Sequence, residues 1–357
     1  MNTRERILAV LAHEKPDRLP NLEFGYWDET LTSWYRQGLP RSVTTNSEVE
    51  SYLGLEGVTL FPLVPLQNGM CPAFERKVIE ERDGHLIVQD HEGNLCEVPA
   101  GSSSIPRYIK YVIESRQDWQ TFKQERLDPL HPERYGDLDL FAQQARRTGL
   151  PIIFNAGSFY GWLRNWMGVE NFSYAIMAEK EWVAEMMDHL VGLTLHLIDR
   201  LPSGLIDLAW WWEDMCYNHG PLLSPRLFHE LMVPRYQEIT TALKRKGVVH
   251  NVLDCDGCIY ELVPGWLEAG INVMFPLEAA HSDPVRLRQE YGERLLMIGG
   301  VDKRALIAGP TAIDREMEKL TRLIQAGGFI PTVDHRVPPD VTYKNYCYYL
   351  DKKRSLL

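Results

Sequence analysis

Acidic and histidine side chains gather at five places in the C-terminal half of the chain, each directly after a short apolar run. Trp212-Glu213-Asp214 follows Gly204–Trp211, and Asp254-Cys255-Asp256-Gly257-Cys258 follows Gly247–Leu253. Pro276-Leu277-Glu278 follows Ile271–Phe275, Gly299-Gly300-Val301-Asp302 follows Arg294–Ile298, and Thr332-Val333-Asp334-His335 follows Gly327–Pro331. Carboxylates brought together repel, so such a set must share protons, pair with a base or hold a cation. That is the chemistry of a general acid–base site or of a metal centre. His335 sits between Asp334 and Arg336, where a neighbouring carboxylate would hold its tautomer and raise its basicity.

Each residue also has a plainer use. An Asp after a strand commonly caps the next helix, and Asp256, Asp283 and Asp302 fit either role. Cys255 and Cys258 form a C-x-x-C with no second pair, and burial of the thiols is the simpler account. In Trp210-Trp211-Trp212, strand alternation sends the outer two to one face and Trp211 to the other. One face packs under helices; the other can line a pocket for a flat ligand. The case for function therefore rests on the coincidence of five strand ends.

The elements that must position these residues alternate along the chain. Apolar runs at Pro20–Phe24, Val58–Val64 and Pro151–Asn155 join the five above to make eight predicted strands. An opening helix is predicted over residues 3–13, and further helices over 173–200, 225–245, 259–269, 283–291 and 311–326. Gly247, Gly270, Gly292 and Gly327 stand where helix C-caps belong. This alternation predicts an α/β fold with parallel strands, and eight units predict a closed (β/α)8 TIM barrel, one domain over residues 1–357. An open doubly wound sheet is the alternative, but no glycine-rich dinucleotide fingerprint follows any run. In a barrel the C-terminal strand ends share one mouth, which is where barrel enzymes keep their active sites. Residues 74–112 break the rhythm with polar–apolar alternation and turns at Asp83-Gly84 and Glu92-Gly93, predicting a β-hairpin excursion.

Composition narrows the function classes. A net charge of −11 argues against a nucleic-acid partner. No stretch has the apolar length of a membrane span. The six cysteines show no framework spacing and the N-terminus no signal-like apolar run, so the expected compartment is a reducing cytoplasm.

The blocks RERILAVLAHEKPDRLP, WWWEDMCYNHGPLLSPRLFHELMVPRY, LEAGINVMFPLE, MIGGVDKRAL and GGFIPTVDHRVPPDVTYKNYCYYL, in that order, resemble the uroporphyrinogen decarboxylase-like superfamily over nearly the whole chain. The resemblance implies a (β/α)8 barrel. It is closest in kind to the branch of methyltransferases that work with corrinoid (cobalamin) proteins, moving methyl groups between a small methylated substrate or acceptor and the corrinoid. The true decarboxylases carry an arginine-rich segment near the N-terminus that binds substrate carboxylates. Here that stretch is Glu23-Phe24-Gly25-Tyr26-Trp27, without arginine, and the next strand ends Phe61-Pro62-Leu63-Val64-Pro65, without the decarboxylases' acid.

The resemblance places Glu23 and Tyr26 in the substrate-binding stretch, with Trp212, Glu213, Asp214 and Asp302 as further substrate-binding candidates. Where the methyltransferases hold zinc through His-x-Cys and a late Cys, this chain has Asp254 and Asp256, with Cys255 between them, and His335. These four are the candidate metal ligands, a harder set than His/Cys/Cys. A metal-free acid–base site of Asp254, Glu278 and His335 is the other reading of the same mouth. The implied partners are a small-molecule substrate, a corrinoid protein and a second copy in a homodimer. The alternatives to methyl transfer are a carboxy-lyase acting on a porphyrinogen-like or smaller acid, and a binding module that kept the barrel without its chemistry.

Overall fold

The structure, a computed structural model, describes residues 1–82, 84–99 and 106–356. The excursion is a four-stranded antiparallel sheet of β1 (Lys77–Arg82), β2 (His85–Gln89), β3 (Leu95–Pro99) and β4 (Arg107–Lys110), paired in that order. Of the two predicted turns, Asp83 lies outside the described residues. At the other, the Asp90 carboxylate accepts from the amides of Glu92 and Asn94 and so closes the bend.

The later apolar runs form one parallel sheet. Its members are β5 (Ile153–Gly157), β6 (Leu208–Trp212), β9 (His250–Asp254), β10 (Val273–Leu277), β11 (Leu296–Val301) and β12 (Phe329–Val333). Between β6 and β9 a small antiparallel ribbon, β7 (Cys216–Tyr217) and β8 (Gly220–Pro221), stands after the end of β6. Each parallel strand begins two to four residues later than its apolar run, because the first residues of each run complete the turn from the preceding helix. Helices Lys180–Arg200, Val233–Arg245, Val263–Glu268, Pro284–Tyr291 and Pro310–Ala326 supply the crossovers. Two predicted helices are split: 173–200 breaks at Glu179, and 225–245 at Met232, just before Pro234.

The interior shows the period of two expected of a barrel wall. Leu22 and Phe24, Phe61, Ile153, Leu208 and Trp210, Val252, Val273 and Phe275, Leu296 and Ile298, and Ile330 form one apolar cluster. Every one of the eight predicted staves contributes to it. Ile7, Val10 and Leu11 of the opening helix (Thr3–Leu11) join the same cluster and plug its lower end. Trp211 points the other way, into the shell between strands and helices, and its indole donates to the Asn251 side chain at 3.3 Å. The fold is thus the predicted α/β fold with its excursion, a six-stranded parallel sheet flanked by two further staves in the order that a (β/α)8 barrel has.

Two staves are not ladder strands. Val58–Leu60 is a 3-10 turn, and the stave that follows meets β5 through a single bridge, Leu63 to Ile153. Pro62 and Pro65 have no amide to donate, which prevents a longer ladder. The first stave meets the far edge of the sheet through the Tyr26–Val337 bridge. There a side chain replaces the ladder: the Val333 amide of β12 donates to the Glu23 carboxylate at 3.0 Å. The other Glu23 oxygen accepts from Lys353 Nζ at 2.5 Å and the Tyr349 hydroxyl at 2.7 Å, both on the last helix, Tyr343–Arg354. Glu23 has no exposed surface and Lys353 has 1%.

Removing one partner of a buried pair strands the other charge, at a cost of about 3–5 kcal/mol. Glu23→Ala and Lys353→Ala are each expected to lose that much in urea unfolding. The double variant Glu23→Gln/Lys353→Met should recover a large part, since no charge is then left unpaired. Single variants as stable as wild type would show that the pair does not hold the first stave.

Candidate active site

β9 ends at Asp254, and the register places it in one row with Trp212 on β6 and Phe275 on β10. Val252 faces the interior, so Asp254, two residues on, caps that interior from above. Its carboxyl is pushed up to about 8, first by burial and then by the charges of Asp256 and Asp214. The His335 ring and the Trp210 indole oppose the shift without cancelling it. At neutral pH this group is a carboxylic acid with a proton to give.

The loop beyond is pinned backbone by backbone. Cys255 N donates to Phe275 O at 2.8 Å, Gly257 N to Glu278 Oε2 at 2.9 Å, and Cys258 N to Tyr217 O at 2.9 Å. Gly257 has φ +81°, and a Cβ there would sit 2.8 Å from the Tyr217 carbonyl oxygen, so only glycine fits. This turn sets Asp256 opposite His335, with Oδ2 3.4 Å from Nε2. Burial alone would lower the His335 pKa, but the Asp256 carboxylate outweighs it and the net direction is upward. The ring stacks on Trp27 at 5.8 Å between centroids and meets the edge of Phe24 at 5.6 Å.

A second acid–base group lies on the next three staves. Lys303 Nζ is 3.1 Å from Glu278 Oε1 and 3.5 Å from Asp334 Oδ1. Burial would lower the Lys303 pKa, but these two carboxylates raise it. The fully buried Asp334 is held at about 6, raised chiefly by burial. It also accepts from the amides of Ala279 and Lys303, tying the ends of β10 and β11 together. Lys303 escaped the sequence reading because it looks like the first residue of a surface helix. Its place directly after the strand-end Asp302 was the available signal.

The structure brings Asp254, Asp256, Glu278 and His335 to the mouth and gives other predicted residues different work. Asp302 caps helix Lys303–Ala308, accepting from the Arg304 amide at 2.8 Å and pairing with the Arg304 guanidinium. Glu213 is fully buried and accepts from the amides of Phe159, Tyr160 and Gly161 and from the Tyr236 hydroxyl. It anchors the start of helix Tyr160–Met167, where the amides would otherwise lack partners. Tyr26 is buried with its hydroxyl 2.9 Å from that of Tyr346, and Glu23 is taken up as described above. These three side chains stand in the wall, closed off from the mouth. Asp214 is partly exposed and pairs with Arg164 at 2.7 Å, and the Arg164 guanidinium lies over Trp212.

The candidate ligand set Asp254, Asp256, Cys255 and His335 does not converge. Cys255 alternates to the opposite side of the chain from its acidic neighbours and is buried beside Cys216. Among the described residues, the one group of three or more ligand atoms within 4.8 Å of one another is Cys71, His131 and Glu133, outside this mouth.

The Asp254 shift has a thermodynamic consequence. An unfolded aspartate titrates near about 3.9. Between that and about 8 the folded chain binds the extra proton. Stability from this group is therefore full below the unfolded value and lost as pH rises through the folded one. Asp254→Asn is expected to be more stable than wild type at pH 9, by on the order of a few kcal/mol, with no advantage near pH 4. Urea unfolding of both proteins at the two pH values checks this; parallel pH dependence would contradict it.

The sequence matches the family model for uroporphyrinogen decarboxylase (URO-D) over residues 93–354, which include β5, β6 and β9–β12. Comparison with curated proteins gives no match. Among solved structures, a methyltransferase from Methanosarcina mazei superposes with a TM-score of 0.61 at 14% sequence identity, covering 99% of this chain and 98% of that one. At that identity the likeness is one of fold. By its family match, the chain belongs to the uroporphyrinogen decarboxylase (URO-D) family.

Proposed function

We propose that this chain is a methyltransferase of the family, moving a methyl group between a small methylated substrate and a corrinoid carried by a partner protein. The observation that supports this most is the place of Asp254 at the end of β9, its carboxyl pushed up to about 8, next to the Asp256–His335 pair. When a methyl group leaves a heteroatom, the bonding electrons stay on that atom, and the departing group is a poor one unless a proton reaches it. Asp254 is placed to give that proton. The His335 ring, 3.4 Å from Asp256, favours the carboxylate that remains and so opposes part of the penalty of forming it. The corrinoid, when its carrier is docked, supplies the methyl acceptor or donor. Exposed Trp27, Tyr217 and Leu222 give the rim apolar surface on which such a carrier can rest. The mouth does not offer a converging ligand set for zinc, and the proposal routes no step through a metal.

The same geometry argues against a substrate with many carboxylates. Lys303 and Arg164 are committed to protein acids, and the Arg336 guanidinium lies over Phe24 and Trp27, 5.7 and 5.3 Å from their ring centres. Decarboxylation of a small acid remains the second reading, because a carbanion left by carbon dioxide also needs a proton from a group such as Asp254.

Anaerobic incubation with cob(I)alamin, whose cobalt supplies both electrons of the new carbon–cobalt bond, and a panel of methylated compounds, followed by corrin absorbance and carbon dioxide release, separates the two. Methyl transfer is expected with at least one donor, lost by a factor of about 10²–10⁴ in Asp254→Asn. The rate should fall as pH rises through about 8, where Asp254 gives up its proton. Carbon dioxide release without methyl transfer would assign the lyase reading instead. Turnover of uroporphyrinogen at an ordinary enzymatic rate would overturn both.

A further inference from the structure

Away from the mouth, two loops meet where the second stave leaves the barrel for the antiparallel sheet. One carries Cys71; the other carries His131 and Glu133, which flank Pro132 at the start of the 3-10 turn Pro132–Arg134. Their ligand atoms, one from each residue, lie within 4.8 Å of one another. Ligands on one tetrahedral ion with bonds of about 2.0–2.3 Å stand a little closer than this. Glu133 is exposed and free to swing in, whereas Cys71 is buried at 5%.

A second observation points to a missing partner. His131 Nδ1 is buried without any hydrogen-bond partner. An orphaned buried ring nitrogen carries a cost that an ion would remove. The frame around it is already rigid. Arg134, fully buried, donates to the carbonyls of Asp128, Gln67, Gly69 and Arg126, and the Cys71 amide donates to Arg126 O at 2.8 Å. These bonds fasten loop 67–71 to loop 126–134, so an ion would not have to order the backbone. Cys71 is a free thiol, available for a metal.

We infer that Cys71, His131 and Glu133 form a binding site for a zinc ion, separate from the barrel mouth, which clamps the base of the antiparallel sheet to the barrel. A thiol, an imidazole and a carboxylate are the donor types that zinc takes, and three of them leave one position for water. Binding replaces the thiol proton by the metal and releases it to solvent, so affinity falls with falling pH.

Cobalt(II) is the probe, since a thiolate on cobalt gives a near-ultraviolet charge-transfer band. Purified full-length protein, stripped with a chelator, is expected to bind about one equivalent with that band. Cys71→Ser should lose the band. Loss of outer partners alone costs about 10–100-fold in metal affinity, so His131→Ala should cost at least as much. The mouth variant Asp256→Asn/His335→Ala should keep both band and affinity. A readout in the unaltered protein guards against misfolding: zinc should slow alkylation of Cys71, located by mass spectrometry. Absence of the band in wild type, its survival in Cys71→Ser, its loss in the mouth variant, or unchanged alkylation of Cys71 would each overturn the inference.

Discussion

Lys353 reaches from the last helix to the Glu23 carboxylate at 2.5 Å, in a place where neither has more than 1% of its surface exposed. The first stave cannot ladder to β12 along its length, and this carboxylate takes the Val333 amide in place of a backbone carbonyl. The wall of the barrel between its first and last staves therefore depends on a buried carboxyl group whose oxygens are met by a lysine, a tyrosine hydroxyl and a backbone amide. Close the wall, and Phe24 and Trp27 stand against His335. Open it, and the histidine loses the aromatic faces that hold its ring.

The mouth is built on the same principle with the opposite result. Glu23 and Glu213 have their acceptors filled by donors from the wall. Asp254 has the His335 ring and the Trp210 indole, and these do not repay its burial, so it keeps its proton. Burial pushes Glu213 up as well, but its oxygens are taken by three amides and a tyrosine hydroxyl in the wall, whereas Asp254 stands at a strand end beside the mouth. Lys303 lies between Glu278 and Asp334, and its charge holds the Asp334 carboxyl lower than burial alone would.

Much of this was legible beforehand in the pattern of side chains. Period-two alternation assigned Trp210 and Trp211 to opposite faces, and the clustering of both residues agrees. The five acidic strand ends do lie at one end of the parallel sheet. What alternation could not show was which carboxylates find donors. Glu213 and Asp254 look alike in sequence, each ending an apolar run, yet only Glu213 meets the free amides of a helix start. The ion pair of Glu23 spans more than three hundred residues, beyond any local signal. Cys255 joins the candidate metal set only through the family resemblance, as the residue between the two matched positions, but a one-residue step along an extended chain turns a side chain to the other face. The first two staves were legible as apolar runs and illegible as irregular ones, since Pro62 and Pro65 cut the ladder without changing the hydrophobic pattern.

The chemistry of the mouth turns on Asp254 holding its proton at neutral pH. Infrared difference spectra between wild type and Asp254→Asn observe that proton directly, through the carbonyl stretch of an un-ionised carboxyl group. This band is expected at pH 7 and disappears as pH rises past about 8. A wild-type protein with no such band at pH 7 that distinguishes it from the variant would contradict the account.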